Sequence, residues 1–276
     1  MKIVVTGASG FVGQAVVREL LSRDADVLGV CRRRVDSNLP LISVSDYSDT
    51  PGGDVLIHLA QDGAPIVAQA TRTAYQIQVL NTLKDLTKKG FGRVIYGSSA
   101  QVYGDKKIYP RNPSESVSPG NMYARTKLAC EKLIQGPRGV AVRMANLYGP
   151  GMASNNVISD ILKQIPEKNP LQVKDDSPVR DFLWIEDAAC GLVDIALASC
   201  SGIFNLGSGK GVSIGELLCR VLSLAGQSNR QIQVLQPAKE TSSLVLDISL
   251  TTKTFGWVPR VELAEGLRLL INKDYD

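Results

Sequence analysis

Apolar and polar positions in the first half of the chain alternate between two periods. Lys2–Thr6 is a short β-branched run, the pattern of a strand buried on both faces. Phe11–Ser22 switches to a helical period, with Val12, Ala15, Val16 and Leu20 available to pack on a sheet. Asp26–Cys31 reads as a second strand, Leu39–Val44 as a third and Asp54–Leu59 as a fourth. A long helical stretch follows over Ala64–Lys89, and Gly90 is placed to end it. Arg93–Ser98 reads as strand five, Met122–Gln135 as a helix and Gly139–Arg143 as strand six. Repeated strand–helix units predict a doubly wound α/β fold, a parallel sheet with helices on both faces.

After Pro150 the pattern loosens. Pro166, Pro170 and Pro178 punctuate shorter elements, and helices are predicted at Glu186–Ser199, Ile214–Ala225 and Leu263–Ile271. The expected division is residues 1–150 as the main sheet domain and 151–276 as a smaller α/β lobe packed directly on it, with segments free to return to the main sheet. No internal repeat or low-complexity segment interrupts this plan.

Composition narrows the class. The 276 residues are 44% hydrophobic and 21% charged, enough for a sizeable core. The net charge of +4 is small and spread out, with Arg32-Arg33-Arg34 as the compact basic cluster. Without aromatic interleaving this argues against nucleic-acid binding. The five cysteines are odd in number and never spaced as CxxC, so free thiols in a reducing compartment are expected, and no metal. No signal peptide is read before the first strand, and the longest apolar runs are too short to cross a bilayer. The expectation is a cytoplasmic enzyme or binding protein with no membrane partner.

Two groups of residues carry the candidate chemistry. Gly7, Gly10 and Gly13 lie between a buried strand and a helix. Glycines there permit a tight turn, close approach of backbone to a pyrophosphate and close helix–strand packing, and the helix N-terminus offers free N–H groups. A dinucleotide is expected here. An acidic residue at the end of strand two would bond the ribose hydroxyls of NAD, but the chain has Cys31-Arg32-Arg33. Arginine matches a 2′-phosphate, so NADP(H) is favoured, with NAD(H) as the alternative. The second group is Tyr123 and Lys127, four apart and on one helix face. A free phenol is a poor base at neutral pH, and a neighbouring ammonium is expected to lower its pKa. Ser98 and Ser99, at the C-terminal end of strand five, are candidates to position a substrate oxygen.

These residues resemble the extended short-chain dehydrogenase/reductase family, and within it the NAD-dependent epimerase/dehydratase branch that modifies nucleotide-sugars. Thr6-Gly7-Ala8-Ser9-Gly10-Phe11-Val12-Gly13 is similar to its TGxxGxxG, and Ile57-His58-Leu59-Ala60 to its strand-four signature. Tyr96–Gly104 resembles its catalytic-serine segment, which makes Ser99 the catalytic serine beside Tyr123 and Lys127. Arg143–Gly151 resembles RxxNxYGPG, and Val179–Asp187 resembles RDFxxVxD. The segments Asn205–Gly209 and Phe255–Pro259 are later landmarks. The resemblance implies a Rossmann-like fold, with 1–150 binding the dinucleotide and 151–276 the substrate. It implies cofactor contacts at Gly7, Gly10, Phe11, Val12, Gly13, Arg32, Arg33, Asp46, Tyr47, Leu59, Ala60, Gln61, Gln78, Tyr123 and Lys127. It implies substrate contacts at Ser99, Asn146 and Arg180, the latter two on the diphosphate. Arg180 alternatively forms a salt bridge with Asp181 or Asp187. Family members usually dimerise through two helices, here Ala64–Lys89 and the Tyr123 helix.

Departures from the family refine the expectation. Gln78 stands where Asn is common, and the loop beginning Gln61-Asp62-Gly63 is short. Ala100-Gln101 stand where the 4,6-dehydratases carry Asp-Glu, which disfavours water elimination. His58, the one histidine, lies in an apolar run and reads as a packed structural residue. The favoured function is NADPH-dependent reduction of a 4-ketosugar nucleotide, with Tyr123 supplying the proton. The alternative is 4-epimerisation with tightly held NAD, and the third reading is a non-catalytic NADP-binding regulator.

Overall fold

The computed structural model describes residues 1–33, 37–61, 69–167, 169–237, 240 and 242–273. The chain first lays down β1 (Lys2–Thr6), α1 (Phe11–Ser22), β2 (Asp26–Cys31), β3 (Leu41–Ser43) and β4 (Val55–His58). It continues with α2 (Gln69–Thr87), β5 (Arg93–Ser99), α3 (Met122–Ile134) and β6 (Gly139–Met144). These strands and a later one, β10 (Gly202–Leu206), form a seven-stranded sheet in the order β10-β6-β5-β4-β1-β2-β3. Every pairing in it is parallel. The order reverses between β1 and β4, where Thr6 pairs with His58. A reversal of this kind leaves a crevice outside the strand ends, the usual ligand position in such sheets.

Strand alternation divides the core. Ile3 and Val5 join Val16, Val17 and Leu20 of α1 on one face. Val4 joins Leu83 and Leu86 of α2 and Cys130 and Ile134 of α3 on the other. The second half supplies β7 (Asn146–Tyr148), α4 (Val157–Gln164), β8 (Leu171–Val173), β9 (Val179–Trp184) and α5 (Ile185–Leu197). After β10 come β11 (Gly211–Ser213), α6 (Ile214–Leu224), β12 (Ile232–Val234), β13 (Ser243–Leu244), α7 (Ser249–Phe255) and α8 (Leu263–Asn272). A second core gathers Tyr148, Ile158, Phe182, Trp184, Leu217 and Leu267. α5 packs against the first core through Leu192, Val193 and Ile195. Thus α5 and β10, beyond residue 150 in sequence, return to the main sheet.

The elements follow the expected order with shifted ends. Strand three starts at Leu41 rather than Leu39, because Pro40 has no N–H to pair; its carbonyl still accepts from Gly29 N at 2.9 Å. Helix two starts, among the described residues, at Gln69; the expected start at Ala64 and the loop at Asp62 and Gly63 lie outside them. Gly90, with φ of +79°, follows it. All five cysteines are free thiols. Among the described residues no helix is long and apolar enough to cross a membrane.

Candidate active site

The chain turns sharply after β1 at Gly7, whose φ is +74°. A Cβ there would lie 2.8 Å from the Ala60 backbone nitrogen, and one on Gly13 would lie 2.1 Å from the Gly7 carbonyl oxygen. Only glycine fits either place without moving backbone. Gly10 caps α1 without a side-chain acceptor, and the Gln14 amide closes the turn onto the Ser9 carbonyl at 2.9 Å. Helix geometry therefore leaves the N–H groups of Phe11, Val12 and Gly13 without intrahelical acceptors, at the positive end of the helix dipole. The first turn holds no acidic residue. A cleft of about 560 Å³ opens over it, bordered by Ser9, Arg32, Arg33, Tyr47, Leu59 and Gln61. This backbone cradle fits a nucleotide pyrophosphate.

The far end of the cleft is built by β2 and the turn after β3. The Arg32 guanidinium lies 5.4 Å from the Tyr47 ring centroid. The Asp46 carboxylate accepts from Ser48 N at 2.8 Å, and this backbone donor with the Ser48 hydroxyl, aided by the Arg32 charge, holds its pKa below the usual value. Gln61 accepts from the Tyr96 hydroxyl at 2.8 Å, while its Nε2 is buried without a partner. That orphan donor borders a cavity of about 90 Å³ shared with Arg32, His58 and Gln78. A buried unsatisfied N–H is costly, and a ligand acceptor would relieve it.

At the end of β5 the two serines separate. Ser98 Oγ donates to Glu131 at 2.5 Å, within a buried ion pair of Glu131 and Arg143 at 2.6 Å. Ser99 accepts from Gln101 N at 3.2 Å and is a hydrogen-bonding neighbour of the Tyr123 phenol. Asn121 caps α3 by accepting from Ala124 N at 2.8 Å, which places Tyr123 in the first turn. Lys127, one turn on, donates to the Gly97 carbonyl at 2.6 Å. Its Nζ lies 4.9 Å from the Tyr96 ring centroid and 5.6 Å from that of Tyr123.

The electrostatics correct one expectation. Burial pushes the Tyr123 phenol above its ordinary pKa of 10.0, the Ser99 hydrogen bond pulls against this, and Tyr75 adds to the rise. The net shift is upward although Lys127 Nζ lies 5.6 Å from the Tyr123 ring centroid. The lysine is drawn to Gly97 instead, and its own burial pushes it down to about 8. His58 is 2% exposed, its Nδ1 is 2.6 Å from the Thr6 hydroxyl, and its ring stacks on Tyr96 at 6.0 Å. Burial first, and the Lys127 charge second, push it down to about 3. It is a neutral packed ring beneath the site.

Asn146 and Arg180 meet at a separate cavity of about 280 Å³, whose wall also includes Gln101, Asp105 and Asn121. Gln101 and Asn121 bond each other at 3.0 Å in this wall, and Gln101 N also donates to Ser99 Oγ at 3.2 Å. Asn146 Nδ2 donates to the Asp181 carbonyl at 3.1 Å. Arg180 pairs with neither Asp181 nor Asp187, contrary to the alternative drawn from sequence. Its Nη2 lies 3.5 Å from Asp105 and donates to Ser242 Oγ at 2.7 Å. Asp181 is occupied by Ser208, Gly209 and Leu246 N–H groups, and Asp187 by those of Arg260 and Val261. Sequence reasoning missed Asp105, Glu131 and Ser242; the capping residue Asn121, just before the helix, carried a readable signal.

Sheet order, switch point and cradle define a Rossmann-like dinucleotide-binding fold. The NAD dependent epimerase/dehydratase family matches residues 3–207, and the chain belongs to that family. It is similar to UDP-glucuronic acid decarboxylase 3 of Arabidopsis thaliana, 26% identical over 98% of this chain and 88% of the relative. It is 24% identical to UDP-glucuronate 4-epimerase of Thermodesulfobacterium geofontis, over 98% and 94%. Among solved structures it superposes on MoeE5 in complex with UDP-glucose and NAD, with a TM-score of 0.85, 25% identity and coverage of 99% and 98%.

Proposed function

We propose that this protein uses a nicotinamide dinucleotide to change the oxidation state of a ring carbon in a nucleotide-linked sugar, with 4-epimerisation of a UDP-sugar as the leading reading. The observation that supports it most is the grouping of Ser99, Tyr123 and Lys127 at the end of β5 and the start of α3, in a chain that also carries the glycine cradle and a separate cavity lined by Asn146 and Arg180. Relatives that act on UDP-linked sugars support the substrate class. The bound nicotinamide supplies reversible hydride transfer. Tyr123 Oη takes the proton of the sugar hydroxyl as its carbon is oxidised, and returns it to the same oxygen as the carbon is reduced. Ser99 hydrogen-bonds that oxygen. Lys127, freed from Gly97, holds the cofactor ribose and stabilises the phenolate. Phe11, Val12 and Gly13 N–H groups hold the pyrophosphate, and Arg180 with Asn146 the sugar diphosphate. Residues 1–150 with α5 and β10 form the cofactor half, and the remaining segments the substrate half.

A second reading, net reduction of a ketosugar with NADPH, is favoured by Arg32 and Arg33 bordering the cleft where an acidic residue would suit NAD. Water elimination is disfavoured, since the Gln101 amide at the cavity wall is no acid or base.

The test is incubation with UDP-glucose, UDP-galactose and UDP-glucuronate, each with NAD, and with a 4-keto analogue plus NADPH. Isomer formation without net cofactor change supports epimerisation; stoichiometric NADPH oxidation supports the reductase. Tyr123→Phe should lower either rate by about 10²–10⁴-fold and leave cofactor affinity unchanged. Cofactor binding with no turnover of any of these sugars would overturn both readings.

A further inference from the structure

Both terminal nitrogens of the Arg180 guanidinium are engaged by the protein itself. Nη1 donates to the Val179 carbonyl at 2.9 Å and the Ser242 carbonyl at 3.1 Å. Nη2 donates to Ser242 Oγ at 2.7 Å and faces Asp105 Oδ2 at 3.5 Å. A two-pronged grip on phosphate needs a pair of N–H groups pointing the same way. The weakest of the four contacts is the one to Asp105. Its carboxylate is 48% exposed and borders the same cavity as Arg180. Ser242 Oγ donates to the carboxylate at Oδ2 at 2.5 Å, and Ser243 N fixes the Asp105 main chain through its carbonyl at 2.7 Å.

We propose that Asp105 is a built-in competitor for the anion that Arg180 is to hold. Its carboxylate faces Nη2 of the guanidinium at 3.5 Å, and a diphosphate binds by taking that place. The proposal rests on the reading that Arg180 holds the sugar-nucleotide diphosphate. A singly charged group gains little by exchanging with a carboxylate already held by the Ser242 hydroxyl. A diphosphate brings more charge and more acceptor oxygens, so the competitor selects for it. Half-exposed ion pairs of this kind are weak, which keeps the exchange easy.

The test is titration of UDP into the full chain at saturating NAD, for the parent, Asp105→Asn and Arg180→Met. Asn keeps an acceptor for Ser242 and removes the charge. Asp105→Asn is expected to bind UDP about three- to fivefold tighter, the scale of one exposed ion pair, with NAD affinity unchanged. Asp105→Ser, which also removes the charge, should shift UDP affinity in the same direction and serves if the Asn variant folds poorly. Unchanged or weaker UDP binding in the Asp105 variants, with Arg180→Met weakened, would mean that Asp105 does not compete, and would leave the role of Arg180 standing. UDP binding by Arg180→Met equal to the parent would overturn the role of Arg180 and this proposal together.

Discussion

Ser98 and Ser99 are adjacent on β5 yet serve different residues of α3: Ser98 donates to Glu131 at 2.5 Å, and Ser99 neighbours the Tyr123 phenol. Alternation along the strand sends the two hydroxyls apart. The Glu131–Arg143 pair, with both side chains only 3% exposed, fixes which serine goes inward. Glu131→Ala would leave the Arg143 charge buried and unpaired, a loss of about 3–5 kcal/mol. The double variant Glu131→Leu, Arg143→Met should lose less than Glu131→Ala alone. Urea unfolding of the three proteins decides it, and a double variant weaker than the single would refute the account.

The glycine cradle gives a second expectation. A Cβ on residue 13 would sit 2.1 Å from the Gly7 carbonyl oxygen. Gly13→Ala must push α1 away from the turn, costing roughly 1–3 kcal/mol. Saturating NAD should raise the melting temperature of the parent and leave that of the variant unmoved. An equal rise in both would show that the turn tolerates the methyl group.

Lys127 provides a pH test. Burial lowers it from the ordinary 10.5 to about 8, so between those values the unfolded chain binds more protons than the folded one. Stability from this group therefore rises as pH climbs from about 8 to 10.5. Lys127→Met removes the buried charge and should gain roughly 1–3 kcal/mol at pH 7, a gain that shrinks towards pH 10.5. Turnover should fall by at least about 10²-fold. Denaturant midpoints at the two pH values read the first effect. A variant less stable than the parent at neutral pH would contradict it.

His58 has the same sense of shift on the acid side. Its folded pKa of about 3 lies below the ordinary 6.5, so unfolding takes up a proton within that window. Stability from this group is present above 6.5 and is lost as pH falls towards 3, at up to about 1.4 kcal/mol per pH unit. His58→Gln should flatten the acid limb of the stability curve by about one proton. A limb of unchanged slope would place the acid sensitivity elsewhere.

What the sequence revealed was local. The cradle was readable because three glycines between a strand and a helix admit few other uses, and Tyr123 with Lys127 because helical spacing puts them on one face. The shift of the Tyr123 pKa was misread for the same reason: spacing names the neighbour but not the burial, and here burial dominates. The partners of Arg180 were hidden because Asp105 lies 75 residues away in sequence and Ser242 lies 62, joined to it only by tertiary packing. Starts and ends of elements were blurred where a single backbone group decides them, as at Pro40.

The placement of β10 bears on how the chain is made. Six strands of the sheet have been laid down by Met144, but the seventh pairs with β6 only through residues 202–206. Several polar groups wait for the same late segment. The Arg93 guanidinium bonds the carbonyls of Ile195, Ala196 and Cys200, and the Tyr103 hydroxyl bonds Asn205. A chain emerging from the ribosome therefore carries an open β6 edge until Leu206 has cleared the exit, and that edge is a template for pairing with another chain. A stop or prolonged pause between residues 150 and 206 is expected to leave that edge uncovered.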